Sequence, residues 1–230
     1  MTASPLSAGT DYETLANRFR PLFRKIAAGN VEREHARELP YEPIRWLKQA
    51  GFGAIRVPVE YGGAGASIGQ LFQLLIELAE ADSNIPQSLR GHFAFVEDRL
   101  NAPPSPSRGA WFARFVAGEL VGNGWTEVGA VKLGEILTKI TPHGENYLLN
   151  GAKYYSTGSI FADWIDVYAQ RSDNGADVIA LLDAALPAGV ENQHFPDGRT
   201  LRFPAVSTLL DEDARLWLSL RRRLLRLLRR

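Results

Sequence analysis

The sequence contains no cysteine, has no excess of either charge, and carries only four histidines. Without cysteine, disulfides, thiolate catalysis and cysteine-based zinc sites are excluded. The histidines are far apart in the sequence and show no ligand spacing, so we expect no metal site. With 26 acidic and 26 basic residues, the whole chain has no global attraction to nucleic acid or to a membrane.

Long hydrophobic runs are also missing. No apolar stretch approaches the roughly 20 residues that span a bilayer. The N-terminal segment has no basic region followed by an apolar run, which would mark a secretory signal. The composition, 45% hydrophobic and 23% charged, is that of an ordinary globular protein, and we expect a soluble cytoplasmic protein.

The first half of the chain has the pattern of a helical domain. Apolar residues recur at helical spacing, Ser67 stands where an N-cap belongs, and Pro21 is expected to kink or split the first helix. The glycines at 62, 63 and 65 favour a sharp loop rather than a phosphate-binding loop. The predicted helices cover residues 12–28, 30–39, 41–50, 68–81, 85–100 and 107–118.

The pattern changes near residue 120, where short segments alternate between apolar and polar residues. Turn residues at 143–144, 150–151 and 173–175 favour antiparallel hairpins between them. The predicted strands cover residues 120–125, 136–141, 146–149, 152–156, 164–169 and 178–182. We therefore predict an α+β chain with an all-helical domain at 1–119, a small antiparallel β-barrel or sandwich domain at 120–190, and an atypical basic tail at 191–230.

Three segments turn this order of elements into a family resemblance. Residues 46–65 contain WLKQAGFG and then VPVEYGGAG, residues 124–130 are GWTEVGA, and residues 147–158 are YLLNGAKYYSTG. In this order and at this spacing, they resemble motifs of the acyl-CoA dehydrogenase family. The resemblance covers about residues 10–185, and it implies that family's N-terminal helical domain followed by its flavin-binding middle β domain.

Departures from the motifs indicate one branch of the family. Val131-Lys132-Leu133 stands where the dehydrogenases have Gly-Ser-Asp, and Tyr155-Ser156 replaces their tryptophan and the next hydrophobic residue. Tyr155 to Gly158 and Leu89 to Phe93 resemble the flavin-dependent monooxygenase branch, which includes dibenzothiophene and sulfone monooxygenases. This resemblance implies reduced flavin from a separate reductase, a flavin hydroperoxide formed with oxygen, and a small organic substrate. Reduced FMN is favoured over FAD, and intact relatives form homo-oligomers.

The resemblance also implies the residues of the flavin site. An isoalloxazine ring is flat, apolar on its faces and polar along one edge, so its site needs an aromatic wall and hydrogen-bond partners. The residues carried over as cofactor-binding are Trp125, Thr126, Tyr155, Ser156 and Thr157. The alternative is that the aromatic residues are ordinary core residues and that the hydroxyls are ordinary strand residues.

Three residues are predicted to steady a flavin hydroperoxide in a dry pocket. They are Ser156, Asn123 shortly before the second motif, and His92, which matches a histidine on the helical wall of the monooxygenase branch. Each such hydrogen bond could contribute roughly 1–3 kcal/mol. The alternative for His92 is a hydrogen-bonded wall residue without a chemical role.

The family continues into a C-terminal four-helix bundle, which this chain is too short to hold. After about residue 190 the resemblance fades, and seven arginines lie among the last sixteen residues. The leucine-rich segment at 216–230 fits either a membrane-surface helix or non-native sequence from a frameshift or premature end, and we favour the second. The leading prediction is thus a truncated monooxygenase. The alternatives are an acyl-CoA dehydrogenase with FAD and a non-catalytic remnant or binding protein.

Overall fold

Helices make up the first of two units into which the chain divides, Met1–Leu120 and Val121–Arg230. The computed structural model describes residues 11–128, 135–143, 146–184 and 209–210. The helices of the first unit are α1 (Tyr12–Ala28), α2 (Asn30–Ala36), α3 (Tyr41–Gln49), α4 (Ile68–Ala81), α5 (Asn84–Asn101) and α6 (Pro106–Val116). Within the described part of the chain, no helix is long and apolar enough to cross a membrane.

The helical periodicity of the sequence translates directly into these elements. The side chain of Ser67 accepts a hydrogen bond from the Gln70 amide, and the Gln70 side chain accepts one from the Ser67 amide, so the predicted N-cap is a complete capping box. α1 runs unbroken through Pro21, so the predicted splitting of this helix was wrong. Two 3₁₀ turns, Phe52–Ala54 and Val59–Tyr61, lie between α3 and α4.

Aromatic residues fill the core of the helical unit. The ring of Phe52 lies edge-on to that of Phe19, with ring centroids 5.0 Å apart, and Trp111 packs against Phe115. Aromatic pairs of this geometry add about 0.5–1.5 kcal/mol each beyond the area that they bury. A buried aromatic core therefore joins the helices of this unit.

The second unit contains a mixed sheet. Its described strands are β1 (Val121–Gly124), β2 (Lys139–His143), β3 (Asn146–Asn150), β4 (Trp164–Arg171), β5 (Asp177–Asp183) and β6 (Leu209–Leu210). The order is β3-β2-β4-β5-β6, and β1 also pairs with β4. Helices followed by a β unit confirm the predicted order of the fold.

The turn pattern predicted a purely antiparallel sheet, and this prediction was wrong, because the sheet also contains parallel pairings. β2 pairs antiparallel with β3, and β4 with β5, but both β1 and β2 run parallel to β4. Turn residues determine only the direction of consecutive strands. The connection at 151–163 is long enough for the chain to return beside β2 in the parallel direction.

The predicted strand at 152–156 is absent, and this prediction was wrong. The segment contributes a single bridge, in which Tyr154 pairs antiparallel with Thr126. Tyr155 has a φ of 54°, which lies in the left-handed region and interrupts an extended strand. The predicted tail at 191–230 lies outside the described residues, except for Leu209–Leu210.

The two faces of β4 have different roles. Side chains alternate between the faces of a strand, so Ile165, Val167 and Ala169 share one face, and Asp166 and Tyr168 share the other. The first face belongs to a buried apolar cluster with residues of β2, β3 and β5. The second face meets the segment that follows β1, which contains predicted site residues.

Candidate functional site

One backbone bridge brings two of the predicted site segments together. The amide of Tyr154 donates a hydrogen bond to the carbonyl of Thr126 across 2.9 Å. Trp125 and Thr126 belong to the chain that leaves β1, and Tyr155 begins the triplet of residues that follows the bridge. The two segments are therefore direct neighbours within the β unit.

Trp125 is fixed in place by the second face of β4. Its indole nitrogen donates a hydrogen bond to Oδ2 of Asp166 across 3.0 Å. Its ring stacks with that of Tyr168, with centroids 5.7 Å apart and an angle of 29° between the planes. The residue is half-buried, and Asp166 is only 4% exposed. The indole is therefore an oriented ring with part of its surface accessible.

Tyr155 presents its ring to solvent from an unfavourable backbone conformation. The residue is 78% exposed at a φ of 54°. The Thr157 amide, at 2.8 Å, and its hydroxyl, at 3.3 Å, both donate to the Tyr155 carbonyl and stabilise this turn. A non-glycine residue in the left-handed region costs of order 1–3 kcal/mol, and such residues cluster at binding sites. An exposed ring in this conformation does not fit a core aromatic residue.

Asn123 and Ser156 lie where β1 meets the 3₁₀ turn Ser159–Phe161. Oδ1 of Asn123 is buried and has no hydrogen-bond partner among the described residues. The Ser159 hydroxyl donates to the Asn123 carbonyl across 3.3 Å, and the Ser159 amide donates to the Ser156 carbonyl. A Cβ at Gly122 would lie 2.5 Å from the Ser159 Cα, so only glycine permits this close approach.

Glu127 and Lys153 form a buried ion pair beside the bridge. Lys153 Nζ lies 2.8 Å from Oε1 of Glu127, and the side chains are 10% and 8% exposed. The same carboxylate accepts hydrogen bonds from the amide and hydroxyl of Thr138 and from the amide of Leu137. Burial raises the pKa of Glu127, but these donors outweigh burial and lower it to about 2. Burial also lowers the pKa of Lys153, against the raising effect of Glu127.

His92 lies in the core of the helical unit and is 1% exposed. Its Nε2 is 2.9 Å from the carbonyl oxygen of Gly53, and its ring packs edge-on against Phe93 and Phe115. A Cβ at Gly53 would lie 2.9 Å from the same ring nitrogen. These contacts hold the ring in place within the helical unit, and the predicted chemical role of His92 stays a prediction.

Four side chains that sequence reasoning missed surround the predicted residues. Asp166 and Tyr168 orient the Trp125 ring, and Glu127 and Lys153 flank the bridge. An aspartate within the otherwise apolar run at residues 164–169 was the available signal for Asp166. Both members of the ion pair lie within the quoted motifs, but the sequence does not show that they pair, because they are 26 residues apart in the chain.

A family model, a curated relative and a solved structure each match a part of this chain. Residues 11–105 match the family model of the acyl-CoA dehydrogenase N-terminal domain. The 3-(aryl)acrylate reductase of Clostridium sporogenes is 29% identical over 166 residues, which cover 65% of this chain and 43% of that protein. The crystal structure of FMN-bound TdsC from Paenibacillus sp. A11-2 superposes with a TM-score of 0.72 at 26% identity, over 84% of this chain and 51% of that one.

A further match covers a short segment only. Over 45 residues, the chain is 73% identical to anthranilate synthase component 1 of Salmonella typhimurium, which is 20% of this chain and 9% of that protein. The chain spans about half of the length, or less, of each of these three proteins.

Proposed function

We propose that this chain binds a flavin in its β unit and is part of a flavin-dependent oxidoreductase. Its N-terminal domain, at residues 11–105, places it in the acyl-CoA dehydrogenase family. The observation that carries the proposal is the exposed ring of Tyr155, which a bridge aligns with the oriented indole of Trp125. TdsC, whose structure holds FMN, has the same fold over most of this chain and supports the proposal.

The residues of the β unit fit the chemistry of a flavin. Trp125 and Tyr155 would provide aromatic surface for the flat faces of the ring. The exposed hydroxyl of Thr126 and the half-buried hydroxyls of Ser156 and Thr157 would serve its polar edge. These residues could donate or accept hydrogen bonds without displacing a core residue.

Asn123 would complete the polar part of the site. Its Oδ1 is a buried acceptor with no donor among the described residues. A buried unsatisfied acceptor costs about 1–3 kcal/mol, which a ligand N–H or O–H group would recover. We therefore assign Asn123 to ligand binding together with Ser156. The Nε2 atom of His92 contacts the carbonyl oxygen of Gly53, and the predicted chemical role of this histidine stays a prediction.

The finer proposal is a monooxygenase. A bound reduced flavin would supply the electrons for oxygen activation, and the protein would orient the substrate and exclude water. Tyr155-Ser156, in place of the tryptophan and hydrophobic residue of dehydrogenases, favours this branch. In this proposal reduced FMN comes from a separate reductase, the substrate is a small organic molecule, and the whole protein is a homo-oligomer.

A second candidate is hydride chemistry of the dehydrogenase type. The 29% identity to a 3-(aryl)acrylate reductase over 166 residues favours it, as does the match to the acyl-CoA dehydrogenase N-terminal domain. This candidate would use FAD and a carbon–carbon bond next to a carbonyl group, where the monooxygenase would use FMN and oxygen.

Anaerobic titration of the complete chain with reduced FMN and with FAD tests both candidates. Binding is measured by the quenching of tryptophan fluorescence. A micromolar dissociation constant for reduced FMN supports the monooxygenase. Tight FAD binding together with bleaching by an acyl-CoA supports the second candidate. Tyr155→Ala should lose this binding, and Phe72→Ala is its matched control, because Phe72 is also an exposed aromatic residue but lies on α4. Failure to bind either flavin overturns the proposal and favours a non-catalytic protein.

A further inference from the structure

We infer that Glu127 and Lys153 are positioning residues, which set the register at which the Trp125 and Tyr155 segments lie side by side. The inference rests on the proposed function, because these are the segments that we propose to hold the flavin. Neither residue has a proposed contact with the ligand. Their effect would be transmitted through the backbone bridge between Thr126 and Tyr154.

The register of the bridge couples the ion pair to the aromatic residues. In an antiparallel pairing, the residue after one member stands opposite the residue before the other. With Thr126 opposite Tyr154, Glu127 stands opposite Lys153, and Trp125 and Tyr155 are the next residues on the other side of the bridge. A slip of one residue would separate both pairs at once, because it moves every side chain to the other face.

A third segment holds the carboxylate from the side of β2. The amide and hydroxyl of Thr138 donate to Oε1 of Glu127 at 2.8 and 2.6 Å, and the Leu137 amide donates to Oε2 at 2.8 Å. Gly151, two residues before Lys153, contacts the same threonine so closely that an added Cβ would lie 2.4 Å from its Oγ1. Three separate segments of the β unit therefore meet at one carboxylate.

A single backbone bridge does not by itself fix the register of the two segments, so a side-chain contact such as the Glu127–Lys153 ion pair is needed. Isolated pairings are weakly specified in register, and the Thr126–Tyr154 bridge is not extended into a strand. Buried ion pairs are weak sources of stability, because desolvation offsets most of their attraction, and their best-attested use is to specify one arrangement. In an alternative register, Glu127 would keep its three donors from Leu137 and Thr138, but Lys153 would lose its carboxylate partner. The ammonium group, whose side chain is only 10% exposed, would then stand unpaired.

The test compares Lys153→Met with Lys139→Met in the complete chain. Lys139 lies on β2 and contacts Gln170, so its replacement removes a lysine of the same unit without touching Glu127. We expect Lys153→Met to weaken reduced-FMN binding about tenfold or more and Lys139→Met to change it less than about twofold. Lys153→Arg, which keeps the charge, should restore most of the affinity. The nuclear Overhauser contact between the Tyr154 amide and Thr126 should disappear in Lys153→Met only.

The outcomes separate this inference from the proposed function. A folded Lys153→Met variant that keeps both the Tyr154–Thr126 contact and its FMN affinity overturns the inference. If the wild-type chain does not bind FMN, the proposed function fails, and the Tyr154–Thr126 contact alone decides the inference. If Lys153→Met does not fold, Glu127→Gln decides in its place, since it keeps the shape of the side chain but removes its charge.

Discussion

The indole nitrogen of Trp125 donates a hydrogen bond to Asp166 across 3.0 Å. This contact places the segment after β1 on the second face of β4, away from the apolar cluster that contains Ile165 and Val167. The candidate site is therefore attached to a central strand of the sheet, and the residues that would hold a ligand are separate from those that stabilise the core.

Trp125→Phe should destabilise the β unit by about 1–3 kcal/mol, because a 4% exposed carboxylate loses the indole donor. Phenylalanine keeps a ring against Tyr168, so the loss reports mainly on the hydrogen bond. Urea denaturation followed by circular dichroism measures this change. The same substitution at Trp46, on α3 of the helical unit, is the control. A Trp125→Phe variant as stable as wild type would mean that Asp166 does not hold the indole.

Tyr155→Gly should separate binding from stability. Glycine adopts a φ of 54° without strain, and a side chain that is 78% exposed contributes little burial. We expect the free energy of unfolding to stay equal or to rise by up to about 1 kcal/mol, while reduced-FMN binding is lost. Tyr155→Ala, which keeps the strain, should lose binding without any gain in stability. Unchanged FMN affinity in Tyr155→Gly would remove Tyr155 from the site.

Gly122→Ala should destabilise the β unit by about 1–3 kcal/mol, since its Cβ would lie 2.5 Å from the Ser159 backbone and force β1 and the 3₁₀ turn apart. Gly69→Ala is the matched control. Its Cβ would meet only the Ser67 hydroxyl at 3.8 Å, and alanine favours the helix by about 0.5 kcal/mol or more. Thermal unfolding of both variants gives the comparison. Tolerance of alanine at 122 would contradict the close packing.

The stability that Glu127 contributes should depend on pH in the acid range. Its pKa is about 2 in the folded protein, below the ordinary value of 4.5. A lowered pKa contributes stability that is complete above the unfolded value and is lost as the pH falls through the folded value. The difference in unfolding free energy between wild type and Glu127→Gln should therefore be largest above pH 4.5 and shrink toward pH 2. Urea titrations at several pH values measure it, and a constant difference would contradict the assignment.

The sequence predicted the helical unit closely, because its signals are local. α4 begins directly after the predicted cap Ser67 and ends at Ala81, and the Asp173-Asn174-Gly175 turn joins β4 and β5 as predicted. The parallel pairings of β4 were not predictable from turn residues, since they depend on strands that are distant in the chain.

The candidate site was predictable in its segments but not in its geometry. The family motifs identified Trp125 and Tyr155, and the structure aligns their segments through one bridge. The left-handed conformation of Tyr155 has no signal in the sequence, because tyrosine rarely adopts it. The contacts of Asp166 and Lys153 depend on long-range pairing, which periodicity does not report.

Mapping of reduced FMN onto the chain by chemical-shift perturbation tests the location of the site most directly. Increasing FMN should shift the amide signals of Trp125, Thr126, Tyr155, Ser156 and Thr157 together, with one micromolar dissociation constant, in the complete chain. Shifts that occur elsewhere while these five residues stay unperturbed would contradict the flavin site in the β unit.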